Sequence, residues 1–190
     1  MTAAPAAGSV SDVDGSVDPG RPGPLARDLL AALEVRGWSV AAAESLTGGL
    51  VTAALIDVPG ASRSVRGGVV AYASDLKASL LGVDATLLGT RGPVDPGVAA
   101  AMARGVRARL GADVGLATTG VAGPEPHDGA CAGTVHVAVA TAAGVRVGSA
   151  ILPGDRTTVR RAARDLVLRL AIDVVGPLGT GQAPRALEEL

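Results

Sequence analysis

Tyr72 and Lys77 stand five positions apart in "VAYASDLKASLL", and they are the only tyrosine and the only lysine in 190 residues. The other sixteen basic side chains are all arginine. Arginine stays protonated in proteins, whereas a lysine in a dry or electropositive place can give up its proton and act as a base. One retained lysine in an arginine-rich chain therefore points to proton chemistry. The plainer reading is a chance lysine on a helix surface. A group that such a base could serve lies upstream, at Ser45 in "AESLTGGL". A serine hydroxyl is a poor nucleophile until a neighbouring base takes its proton, and a lysine amine serves once its pKa falls from about 10.4. Thr47, Gly48 and Gly49 follow the serine. Glycine permits close approach to the backbone, and free N–H groups at a helix start hold a phosphate or a developing oxyanion. A serine cap with packing glycines would account for the same letters.

Two more stretches carry polar groups at the edges of apolar runs. "TTGVAGP" offers Thr118, Thr119, Gly120 and Gly123, hydroxyls and bare backbone suited to a ribose or a phosphate, or to an ordinary turn. In "PGDRTTVRRAARDLVLR", Arg156, Arg160 and Arg164 recur every four residues and so share one helix face. Arg156, nearest the helix start, suits a phosphate clamp. Arg160 and Arg164 read as a solvated face. His127, Asp128, Cys131 and His136 match no zinc spacing, and no metal is expected. Tyr and Lys also serve short-chain dehydrogenases, but four apart and with a dinucleotide fingerprint; no G-x-G-x-x-G occurs here.

The elements that must position these residues alternate. "LARDLLAALEV" has helical periodicity and stops at Gly37; "WSVAAAE" is apolar enough for a buried strand. "TGGLVTAALIDV" reads as a helix ended by Pro59 and Gly60, "RGGVVAYA" as a second strand, and "DLKASLL" as a short helix. Asp95 and Pro96 open the helix "PGVAAAMARGVRARLG", and "DVGLATTG" is a third strand. "TVHVAVATAAGVRVGSAIL" splits at Gly144 into a hairpin, and a last helix runs from near Asp155 to about Val175. The order implies an α/β three-layer sandwich with a mixed sheet flanked by helices, and ligand sites in such folds gather where strands end and helices begin. One domain over residues 25–175 is expected, between a disordered tail at 1–24 and a loose tail at 176–190.

Bulk composition excludes several classes. A net charge of -1 and 1% aromatics give neither the basic field nor the stacking surfaces of a nucleic-acid binder. No apolar run approaches the roughly 20 residues of a membrane span. The opening stretch lacks the basic start and apolar core of a secretory signal. The single Cys131 cannot form an internal disulfide, which suits a reducing cytoplasm.

Taken together, "AESLTGGLVTAALIDVPGAS", "GGVVAYASDLKASLLGV", "TTGVAGP", "GTVHVAV" and "PGDRTTVRRAA" resemble, in order and near spacing, the C-terminal domain of the competence/damage-inducible CinA proteins. That domain also exists alone as nicotinamide-nucleotide amidohydrolase. The resemblance covers residues 25–175. It implies cofactor-free and metal-free hydrolysis of the carboxamide of nicotinamide mononucleotide to nicotinic acid mononucleotide and ammonia, in pyridine-nucleotide recycling. It implies Ser45 as nucleophile with Tyr72 and Lys77 as the proton-transfer pair. The N–H groups of Thr47, Gly48 and Gly49 would face the oxyanion, and Thr119, Gly120 and Arg156 the ribose phosphate. A homo-oligomer, most simply a dimer, is implied as well. Two departures stand out. Ser74 replaces the asparagine usual two residues after the tyrosine, and "PEPHDGACAG" lacks the lysine-proline pair often seen before "GT". The pyrophosphatase domain of larger CinA proteins has no counterpart in this sequence. Two other readings share these letters: a catalytically silent binding module for a competence or damage-response partner, and an amidase with another substrate.

Overall fold

Strand β1 (Val40–Glu44) is buried at all five positions and lies in the middle of the sheet. Its near-continuous run of small apolar residues is what a parallel strand covered on both faces requires. It pairs in parallel with β2 (Val65–Val70) on one side and β3 (Val114–Gly120) on the other. Strands β4 (Thr134–Thr141) and β5 (Gly144–Ile151) then add antiparallel, joined by a tight turn at Gly144, giving the order β2-β1-β3-β4-β5. The computed structural model describes residues 23–176, so the two expected tails lie almost wholly outside the described residues.

Helices cover both faces, as the α/β sandwich demands. Val40 and Ala42 of β1, with Val114 and Leu116 of β3, meet α1 (Pro24–Arg36), α2 (Leu50–Ile56) and α6 (Arg156–Val175). The alternate residues Ala41, Ala43 and Ala117 meet α3 (Ser74–Leu81) and α5 (Pro96–Arg109). This second face holds no phenylalanine and is closed by proximity instead of bulk. A Cβ on Gly115 of β3 would stand 2.1 Å from the Ala103 carbonyl oxygen of α5, so only glycine lets the helix sit that close to the sheet. A short helix absent from the sequence reading, α4 (Ala85–Arg91), links α3 to α5. It buries no residue, so no apolar period marks it, and Asp84 holds its start by accepting from the Thr86 and Leu87 N–H groups.

The register brings the candidate residues to one edge. Glu44 sits opposite Val70 of β2 and Thr118 of β3, so β1 and β2 end level and β3 runs two residues further. Ser45, Tyr72 and Thr119–Gly120 all emerge at those ends.

Candidate active site

Ser45 follows directly on β1 and is 7% exposed; its N–H donates to the Thr118 carbonyl, which extends the β1–β3 ladder by one step. On the neighbouring strand the Ala71 N–H donates to the Glu44 carbonyl, so the chain leaving β2 is held beside the chain leaving β1. Helix α3 begins there and turns Lys77 back underneath. Lys77 shares a helix face with Leu81, both buried, where the packing would ordinarily call for an apolar residue. Its Nζ lies 3.2 Å from Ser45 Oγ and 3.3 Å from the Ala71 carbonyl oxygen. Only 1% of Lys77 is exposed, and this burial pushes its pKa below the usual lysine range, weakly opposed by the charge of Asp128. A hydroxyl and a pKa-depressed amine in contact can serve as a nucleophile and its base.

The turn carrying Ser45 is fastened from behind. Glu44 is fully buried, and its carboxylate accepts from the N–H groups of Gly49, Val51 and Thr52 and from the Thr52 hydroxyl. Of the amides expected to face a substrate anion, that of Gly49 is thus taken by the protein's own carboxylate. Gly48 donates to the Ser45 carbonyl, and the Thr47 hydroxyl is bonded to that of Thr118 at 2.7 Å. Thr47, Gly48 and Gly49 therefore support the turn and do not line the cleft. Leu46 does line it, and among the described residues its N–H meets no acceptor. Leu46 is the oxyanion donor the geometry offers, one residue after the serine. Sequence reasoning passed over both Leu46 and Glu44. An acid closing an apolar strand just before a helix start was the available sign for Glu44.

Tyr72 reaches the same cleft from β2 but is 61% exposed, and its hydroxyl accepts from Arg156 Nη2 at 3.1 Å, not from Lys77 or Ser45. The Tyr72 hydroxyl is therefore not in contact with Lys77, the residue it was expected to pair with in proton transfer. Arg156, at the start of α6, also donates through Nη1 to the Gly123 carbonyl at 3.1 Å. The amides at that helix start are capped by Asp155, which accepts from Thr158. The Arg156 guanidinium is the charged group that this end presents to the cleft. Thr119 donates its hydroxyl to the Pro93 carbonyl at 2.7 Å, tying the segment before α5 to the end of β3. Thr119, Gly120, Pro93 and Arg156 all line a cleft of about 380 Å³, with Ser45 and Lys77 at its floor and Glu125 and His127 on its outer wall. Ser74, at the asparagine position, lines it too. Arg160 leaves the solvated face assigned to it and donates to the carbonyls of Leu46 and Thr47. Among the described residues no three His, Cys, Asp or Glu side chains converge on a metal position, and no helix is long and apolar enough to cross a membrane.

Comparison with known proteins places these features in a known frame. The family model of the CinA C-terminal domain matches residues 23–175. A CinA-like protein of Frankia casuarinae is 51% identical over 146 residues, 75% of this chain and 34% of the relative. The chain spans about a third of the length of the curated relatives it matches. Among solved structures, a competence/damage inducible protein from Agrobacterium tumefaciens aligns with a TM-score of 0.75 at 35% identity, over 78% of this chain and 92% of that one. A CinA-superfamily protein from Klebsiella pneumoniae aligns with a TM-score of 0.77 at 30% identity, over 80% and 95%.

Proposed function

The chain belongs to the CinA C-terminal domain family, and from that premise we propose that it is a serine amidohydrolase acting on the carboxamide of nicotinamide mononucleotide. The observation that carries this reading is the contact between Ser45 Oγ and the buried Lys77 amine at 3.2 Å. Neutral Lys77 takes the hydroxyl proton as Oγ attacks the carboxamide carbon. The carbonyl oxygen gains negative charge opposite the Leu46 N–H. Protonated Lys77 then gives its proton to the departing nitrogen, and ammonia leaves an acyl ester on Ser45. Water attacks that ester with Lys77 again as base, releasing nicotinic acid mononucleotide and restoring the serine.

The rest of the cleft supports a mononucleotide. Arg156 is the one arginine that lines it, enough for a single phosphate. A phosphate there would compete with the Tyr72 hydroxyl for the guanidinium. Tyr72 also supplies the cleft's one six-membered aromatic face, since Trp38 stands before β1 at the far end of the sheet. Its exposed ring is the surface on which the pyridine would stack. Cytoplasmic pyridine-nucleotide recycling and assembly as a dimer belong to the same proposal; sedimentation of the purified chain checks the latter.

Ammonia release from nicotinamide mononucleotide, with Ser45→Ala alongside, tests the reading. Release by the wild type alone is expected. Silence from both folded proteins would leave a different amide or a binding module, and equal release would remove Ser45 from the chemistry.

A further inference from the structure

Arg160 lies one turn beyond Arg156 on α6, and its guanidinium spans to the turn that carries the nucleophile. Nε donates to the Leu46 carbonyl at 2.9 Å and Nη2 to the Thr47 carbonyl at 2.8 Å. A Cβ at Gly48, which has φ +58, would stand 3.1 Å from Nη2, so a glycine at this position leaves room for the fork. Two consecutive carbonyls are thus held by one planar, permanently charged group brought in by another helix. They belong to the Leu46–Thr47 and Thr47–Gly48 peptides, and the N–H of the second donates to the Ser45 carbonyl at 3.1 Å. The Ser45 carbonyl shares its peptide unit with the Leu46 N–H, so the fork reaches that N–H through the Gly48–Ser45 bond. Glu44 fastens the far end of the same turn through Gly49, Val51 and Thr52, but Glu44 touches nothing at Leu46. The near end depends on Arg160.

We infer that Arg160 is a positioning residue for the reaction, its two bonds to the Leu46 and Thr47 carbonyls aiming the Leu46 N–H at the oxygen of the carbonyl that Ser45 attacks. The inference rests on the serine-amidohydrolase reading. It separates Arg160, which touches only protein backbone, from its neighbour Arg156, which lines the cleft where the substrate phosphate is proposed to sit. A positioning loss of this kind falls on turnover, since the group acts on transition-state geometry and not on substrate binding.

The test uses Arg160→Met and Arg160→Lys in the full chain, with two readouts. The first is kcat and KM for ammonia release from nicotinamide mononucleotide. The second is the rate at which phenylmethanesulfonyl fluoride sulfonylates Ser45, followed by mass spectrometry. Arg160→Met is expected to lower kcat about 10- to 100-fold with KM within about twofold, and to slow sulfonylation. Arg160→Lys, whose single ammonium reaches one carbonyl well, should fall between. A kcat within about twofold of wild type, a loss seen only in KM, or a loss matched by a smaller folded fraction would overturn the inference. Should Arg160→Met fail to fold, wild-type turnover in Arg160→Lys overturns it equally. If the wild type releases no ammonia yet sulfonylates faster than the variants, the substrate falls and the positioning role stands. An unreactive Ser45 in the wild type would sink both.

Discussion

Two segments close the cleft from opposite sides, and they are built on different plans. The turn from Ser45 to Gly49 is bonded by the Glu44 carboxylate, the Arg160 fork, the Thr118 hydroxyl and its own backbone. The wall from Gly123 to Ala132 is fixed by backbone bonds where it meets β3 and β4, by the His127–Ala130 pair, and by Arg156 on the Gly123 carbonyl. Its residues Glu125, His127 and Asp128 are exposed. Reacting groups tolerate little displacement, so they sit where side chains from three elements converge on one turn. The outer wall has no such convergence, and its side chains answer mainly to solvent.

Substitutions should separate the two plans. The largest effect is expected at the base: Lys77→Arg and Lys77→Met should each lose about 10³-fold or more in kcat/KM for ammonia release. Wild-type turnover in either would break the assignment of chemistry to the rigid side. The same residue predicts the pH dependence. Activity needs neutral Lys77, so kcat/KM should rise with pH along a limb whose midpoint lies below the ordinary lysine value of 10.5. For stability the sign is opposite to that of an ion-paired lysine. The folded pKa is lowered, so burial costs stability fully below that pKa, and the cost fades as pH rises to the unfolded value. Lys77→Met should therefore melt above wild type near neutrality, with the difference shrinking toward alkaline pH.

Next in size is Glu44→Gln, which turns one of two accepting oxygens into a donor facing N–H groups. A loss of about 2–3 kcal/mol is expected in urea unfolding. An unchanged midpoint would mean that the turn is held chiefly by Arg160. Arg156→Ala should raise KM for the mononucleotide about tenfold and leave kcat nearly unchanged. A fall in kcat alone would move Arg156 to the reacting side. The smallest effect is expected on the outer wall, where His127→Ala should stay within about twofold in both constants.

Much of this arrangement was legible from residue types. Alternating apolar runs and their glycine stops yielded the five strands and the mixed sheet, because each strand is either buried on both faces or ends at a turn. The lone lysine pointed to Lys77, and Ser45 stood at a strand-to-helix junction. What the letters could not carry was which groups consume one another. Free amides at Gly48 and Gly49 and a free Arg160 are correct inventories of donors; the partners that satisfy them lie 3 to 114 residues away. Tyr72 illustrates the same limit, since only packing decides whether its hydroxyl meets the lysine or Arg156. Helix α4 left no trace because it buries nothing.

The burial of the single lysine has a practical side. On most protein surfaces an amine-directed reagent meets many competing targets; here the sole ε-amine in the chain is 1% exposed and in contact with Ser45. Apart from the N-terminus, every acylation or reductive alkylation event reports on that one contact. Digestion at lysine cuts the unfolded chain once, between Lys77 and Ala78, and spares the folded one. A lysine-specific protease thus becomes a one-site gauge of whether the floor of the cleft is intact.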